Sequence, residues 1–162
     1  MFRMTARACV DAPVNVVWDH LSRLDQIHLW TDAIHRAYIS SACPSGVGAE
    51  RTCELGGGRT LRERIVAWDE GASFTYESRD APLMKLARNR WSVKPEGSGT
   101  LVTSEAEMTF RGGIFGRIFG WILVPLLRLV LPNPLAKFKY WVEHGEPFRG
   151  KASRLPVPPL SC

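Results

Sequence analysis

Between His35 and Phe110 clusters of turn-forming residues break the chain into short runs, and this rhythm limits the fold more than any other feature. The clusters are Pro44-Ser45-Gly46, Gly56-Gly57-Gly58, Asp69-Glu70-Gly71, Asp80-Ala81-Pro82 and Glu96-Gly97-Ser98-Gly99. They leave strands over 35–41, 49–55, 60–68, 73–79, 84–94 and 100–110, linked too tightly for parallel crossovers and suited to an antiparallel meander. Upstream, residues 2–10 alternate roughly as a first strand. Asp11-Ala12-Pro13 then opens a helix whose Val14, Val17, Trp18 and Leu21 share one face, and Ile27, Leu29 and Trp30 form a second short helix. After Arg111-Gly112-Gly113 the period becomes helical from Ile114 to Glu143. Strand, two helices, six strands and a long helix predict an α+β fold. A curved antiparallel sheet of about seven strands carries two short N-terminal helices and a C-terminal helix over a cavity. Pro125 predicts a kink in that helix, and Pro132-Asn133-Pro134 a break, with the last segment starting at Pro134. Residues 1–146 are expected to form one domain, and 147–162, rich in Pro, Gly, Ser and Arg, read as a flexible tail.

Composition narrows the function classes. The 162 residues are 45% hydrophobic and 23% charged, the balance of a soluble globular protein. The net charge of +5 comes from 16 Arg and 5 Lys, scattered along strands instead of gathered with aromatics, so no nucleic-acid interface is predicted. The four cysteines (Cys9, Cys43, Cys53, Cys162) and four histidines show no metal-ligand spacing, and no zinc site or cofactor motif is expected. The first ten residues lack the apolar centre of a signal peptide, so a cytoplasmic protein with free thiols is expected.

Strand alternation assigns faces. If Trp91 and Val93 point inward, Ala87 and Asn89 do too, while Arg88 and Arg90 point out. On the next strand Val102, Ser104, Ala106, Met108 and Phe110 share the inner face, and Thr103, Glu105 and Glu107 the outer, where the carboxylates balance the arginines. Phe74, Tyr76 and Ser78 align, and facing Leu61 and Ile65 inward carries Glu63 with them. A pairing of Leu55 with Leu61 would set Cys53 beside Glu63. A carboxylate inside an apolar cavity is a candidate acid, base or ligand anchor, whereas its structural reading is a pair with Tyr76, Arg51 or water. Tyr76 and Asn89 are the other polar handles.

Val10-Asp11-Ala12-Pro13-Val14-Asn15-Val16-Val17-Trp18 followed by Trp30, then Glu63-Arg64-Ile65-Val66-Ala67-Trp68-Asp69, Phe74-Thr75-Tyr76, Arg90-Trp91-Ser92 and Gly99-Thr100-Leu101-Val102-Thr103, carry a family resemblance. The chain resembles the SRPBCC (START-like) superfamily, and within it the polyketide cyclase/dehydrase and lipid-transport group, over residues 2–145. The resemblance implies the helix-grip fold, in which the C-terminal helix closes the curved sheet. It implies a binding or transport module for a small hydrophobic ligand such as a lipid, quinone or polyketide-like compound. The expected lining is Trp30, Leu61, Glu63, Ile65, Phe74, Tyr76, Asn89, Trp91, Val102, Ser104, Ala106 and Met108, with Ile118 and Ile122 from the terminal helix. The alternative is a cofactor-independent cyclase or dehydratase in which Glu63 and Tyr76 are the catalytic pair.

The terminal helix carries more apolar surface than one covered side requires. Phe115, Ile118, Phe119, Ile122, Leu126 and Leu129 are predicted to face the sheet. Arg117, Trp121, Val124 and Arg128 then form a second stripe, and Leu123, Leu127 and Leu131 a third. The surplus implies a peripheral membrane contact, a homodimer face, or cover by the fold itself.

Overall fold

The computed structural model describes residues 1–78, 81, 84–130 and 132–162, with backbone alone at 117, 127–130 and 132. Seven antiparallel strands form one sheet in the order β1-β7-β6-β5-β4-β3-β2. They are β1 (Phe2–Val10), β2 (Ile34–Ile39), β3 (Glu50–Leu55), β4 (Arg59–Asp69), β5 (Ser73–Ser78), β6 (Met84–Glu96) and β7 (Gly99–Phe110). Every strand from β2 to β7 pairs with its neighbour in sequence, and only β1 crosses to pair with β7. Helix α1 (Val14–Leu21) and a 3-10 helix over Leu24–Leu29 fill the crossover, while α2 (Gly113–Val130) and α3 (Pro132–His144) follow the sheet. The predicted strands therefore hold to within a few residues, whereas Pro132-Asn133-Pro134, expected as a break, is helical and belongs to α3. Asp80 and Pro82 of the expected turn, Arg79, Leu131, and the side chains of Arg117, Leu127, Arg128 and Leu129 lie outside the description.

The inner face of the sheet is covered unevenly. One core joins α1, the 3-10 helix and α3 to the sheet through Val17, Trp18, Leu24, Trp30, Ile65, Phe74, Trp91, Val102, Leu135 and Phe138. Trp30 meets Trp91 and Phe138 edge-on at 5.2 and 5.3 Å. A carboxylate fixes two of the tryptophans: Trp18 Nε1 and Trp68 Nε1 donate to Glu70 at 2.8 and 2.7 Å. These bonds hold the Glu70 carboxyl below its ordinary value. Lys137 of α3 is buried and paired with Asp32, and Glu143 accepts from the Asp11 backbone N–H at 2.7 Å, so α3 is fastened at its middle and near its C-terminal end. A smaller cluster of Met4, Met108, Phe110 and Val124 lies under α2.

Helix α2 turns the opposite way from the sequence expectation. Ile118 and Ile122, predicted to line the cavity, are 55% and 66% exposed, and Ile114, Phe115, Phe119, Trp121 and Leu126 are exposed as well. The buried stripe is Gly116, Gly120 and Val124, four residues apart. The glycines let the backbone approach the sheet: a Cβ on Gly120 would sit 2.3 Å from the Phe2 ring and 2.8 Å from Phe110. Those two rings are themselves in edge contact at 5.7 Å. Gly120→Val is expected to cost about 1–3 kcal/mol through overpacking, read as a lowered thermal midpoint. An unchanged midpoint would mean that α2 does not rest on Phe2 and Phe110.

The expectation of free thiols fails for two of the four cysteines. Cys9 and Cys162 form a disulfide that closes a separation of 153 residues, while Cys43 is exposed and free and Cys53 buried and free. The segment expected as a loose tail is fastened: Cys9 N–H donates to Pro159 O at 2.7 Å and Cys162 N–H to Glu96 at 2.9 Å. Ala152 and Pro158 are buried.

Candidate functional site

A row of polar side chains crosses the inner face on five adjacent strands. Arg51 and Cys53 come from β3, Glu63 from β4, Tyr76 from β5, Asn89 from β6 and Ser104 from β7. The register builds it: Arg51 lies opposite Glu63, Ile65 opposite Tyr76, Tyr76 opposite Asn89, and Trp91 opposite Ser104. The predicted pairing of Leu55 with Leu61 is displaced by two residues, to Leu55 with Arg59 and Cys53 with Leu61. A two-residue displacement preserves the faces, so Glu63 still points inward.

The contacts along the row are continuous. Arg51 is 3% exposed and Glu63 5%, and Arg51 Nε donates to Glu63 Oε2 at 2.6 Å. Arg51 Nη1 donates to the Leu24 carbonyl at 3.0 Å. The guanidinium lies over the Tyr76 ring, 4.8 Å from its centroid. Asn89 Nδ2 donates to the Tyr76 hydroxyl at 3.3 Å, and Ser104 Oγ donates to Asn89 Oδ1 at 3.1 Å. Cys53 Sγ stands 3.7 Å from Glu63 Oε2. Two buried polar atoms on this face have no partner among the described residues: Arg51 Nη2 and Ser78 Oγ. Ser78 follows Tyr76 by two residues on β5 and shares its face.

Burial and the Glu63 carboxylate fix the protonation states. Desolvation, reinforced by Glu63, pushes the Tyr76 hydroxyl up to about 12. The same two causes, desolvation first, push the Cys53 thiol up to about 12. Tyr76 is therefore a neutral donor and Cys53 an inert thiol at neutral pH, since nucleophilic attack needs the thiolate. Arg51 is held above its ordinary value: burial opposes its charge, but Glu63, Tyr76 and Cys53 together outweigh it. The Arg51 guanidinium and the Tyr76 and Ser78 hydroxyls can donate hydrogen bonds to an oxygen of a bound molecule.

The remaining predicted lining divides between two clusters. Trp30, Ile65, Phe74, Trp91 and Val102 pack within the larger core, with Leu61 and Tyr76 at its margin. Met108, with Ala106 against it, belongs to the cluster under α2. Asn89 faces Ala106 in register, so the polar row runs along the boundary between the two. Ile118 and Ile122 lie on the exposed surface of α2 and take no part in the lining. Arg51 enters the sequence reading only as a partner for Glu63, although its alternation with Cys53 and Leu55 places it on the inner face. Ser78 aligns with Tyr76 in the same reading but receives no role there. On the outer face, Arg88 pairs with Glu77 and Arg90 approaches Glu105 at 4.0 Å, as alternation predicts. A groove of about 590 Å³ is lined by Glu50, Arg62 and Arg64 together with Glu63 and Ile65, and one of about 350 Å³ by Arg3, Arg88 and Glu105 together with Met4 and Ala106. Neither is lined by Phe74, Trp91 or Asn89. Among the described residues, no three of His, Cys, Asp and Glu gather as metal ligands.

No curated protein matches the sequence. Solved structures do match the fold. A Thermobifida fusca protein solved by solution NMR is 24% identical, over 88% of this chain and 96% of its own, with a TM-score of 0.68. TTHA0849 from Thermus thermophilus is 17% identical, over 89% and 99%, with a TM-score of 0.70. StfQ, a di-domain ARO/CYC of the steffimycin biosynthetic pathway, is 15% identical over 88% of this chain and 51% of its own, with a TM-score of 0.70. At these identities the likeness establishes the helix-grip fold and leaves chemistry to the residues. The family model described as polyketide cyclase/dehydrase and lipid transport matches residues 1–139, and the chain belongs to that family.

Proposed function

We propose that this chain binds a small, largely apolar molecule of the lipid, quinone or polyketide class on the inner face of its sheet. Arg51, Tyr76 and Ser78 would address the oxygens of that molecule. The observation that carries the reading is Arg51 Nη2, a buried charged donor without a partner among the described residues, beside the neutral Tyr76 hydroxyl. An unmade bond from a buried donor costs about 1–3 kcal/mol, and a carbonyl or carboxylate oxygen of a ligand would recover it. The apolar clusters on either side of the polar row favour a molecule whose remainder is hydrocarbon or aromatic, held by burial at roughly 25 cal/mol per Å² before ordering costs.

Binding without chemistry is favoured over a cyclase or dehydratase because an acid or base works best with a pKa near the working pH. The Tyr76 hydroxyl at about 12 is far from it. Glu63 is engaged by Arg51 and Cys53.

The test is native mass spectrometry of the freshly purified protein, followed by denaturation and identification of what is released. A stoichiometric apolar molecule carrying a carbonyl or carboxylate is the expected result. Tyr76→Phe removes one donor and no volume, and is expected to fold normally while weakening retention about five- to tenfold, equivalent to roughly 1–1.4 kcal/mol. Wild-type protein that retains nothing and binds neither a long-chain fatty acid nor a quinone would sink the reading. So would a molecule converted to product on incubation, which would establish the enzyme instead.

A further inference from the structure

Among the described side chains of α2, most of the large ones face solvent, while both of its inner glycines face the protein. Gly116, Gly120 and Val124 are the buried stripe. Ile114, Phe115, Ile118, Trp121 and Ile122 are exposed, Phe115 by 83% and Trp121 by 74%. Four of them, Ile114, Ile118, Trp121 and Ile122, border an apolar groove of about 430 Å³. A contiguous apolar surface of this kind on an exposed helix marks an interaction site.

The charges around the helix determine what covers it. Within α2 the sequence contains no Asp or Glu, and its charged residues are both arginines. Arg117 and Arg128 fall within α2 itself. A two-fold contact between copies would place this patch against itself, bringing arginine-bearing helices together with no carboxylate on either to offset them. A surface of anionic lipid headgroups offers charge opposite to that of the helix and accepts the apolar side chains just beneath it. Trp121 suits that boundary, because its ring is apolar and its N–H needs a wet partner. Spanning is not required: no helix among the described residues is long and apolar enough to cross a membrane.

We propose that the outward face of α2 docks the protein on an anionic membrane surface, with Ile118, Trp121 and Ile122 inserted at the headgroup boundary. The surface is separate from the polar row, and the inference stands whether or not that row binds a ligand.

Flotation of the full chain with phosphatidylcholine vesicles, with and without phosphatidylglycerol, tests it. The wild type is expected to float with the anionic vesicles, and much less with the neutral ones. Raising the salt should weaken the association, because exposed charges are screened beyond about 8–10 Å. Trp121→Asp, and separately Ile118→Asp, should each weaken it at least about tenfold while leaving thermal unfolding unchanged, since both side chains are exposed. Absence of flotation on anionic vesicles overturns the proposal. Two independent variants that float as well as the wild type also overturn it. A wild-type dimer in sedimentation that Trp121→Asp dissociates would assign the face to a second copy instead.

Discussion

Replacing Arg51 with methionine is expected to lower the unfolding free energy by about 3–5 kcal/mol, because it strands the Glu63 carboxylate inside the protein. Glu63 is 5% exposed, and its hydrogen-bond partners are Arg51 Nε and the Cys53 thiol. The substitution also removes the donor to the Leu24 carbonyl and the cation over the Tyr76 ring, each a smaller loss of the same sign. Methionine keeps most of the hydrophobic stem, so the loss reports charge and not volume. The double variant Arg51→Met/Glu63→Leu removes both charges together. Buried ion pairs replaced by apolar residues are often neutral or stabilising, so the double variant should recover most of the stability. Denaturant midpoints at constant slope read both effects. A single variant as stable as the wild type would show that water, and not Arg51, carries Glu63. The double variant also separates folding from function: it should fold, yet lose the ligand that Arg51 Nη2 would address.

That pair shows where the sequence is legible and where it is not. Face assignment needs only alternation, and alternation survives a two-residue slip, so Glu63, Tyr76, Asn89, Trp91 and Ser104 all fall on the inner face as expected. Pairing depends on how the turn closes. The three glycines form a tight turn that joins Leu55 to Arg59, and this sets Arg51, not Cys53, directly opposite Glu63. Nothing in the local pattern specifies that geometry, because glycine accepts several: Gly57 and Gly58 both adopt positive φ.

Helix α2 departs from expectation for a different reason. Periodicity ranks faces by hydrophobic bulk, and it assigns the bulkiest face, with Phe115, Ile118 and Ile122, to the sheet. The sheet there already carries Phe2 and Phe110, so the space left under the helix admits glycine and not isoleucine. A helix packs by volume as well as by polarity, and only the facing strands give the volume. Gly116 and Gly120, which on propensity alone weaken a helix, are its contact surface.

Removing the Cys9–Cys162 bond carries the second large effect. The bond closes a separation of 153 residues, nearly the whole chain. Loop-closure entropy for a length of that order corresponds to about 5 kcal/mol at 25 °C in the chain-entropy model, and measured values usually fall lower, so a loss of about 3–5 kcal/mol is expected for Cys162→Ser. The tail contacts depend on the same link: without it, the Pro159 carbonyl bond to Cys9 N–H and the Glu96 bond to Cys162 N–H anchor a free end. Cys43→Ser, at an exposed free thiol, should leave the midpoint unchanged. Alkylation before and after denaturation adds an independent reading. Native protein should react quickly at Cys43 alone, because the Cys53 thiol is buried and pushed up to about 12. Denatured, unreduced protein should react at both free cysteines, and reduction should release the remaining two. Equal midpoints for Cys162→Ser and wild type, with all four thiols reactive before reduction, would mean that the bond does not form and that the tail is held by its backbone contacts alone. A lowered midpoint with two protected thiols would make the final residues part of the fold and tie its stability to an oxidising environment.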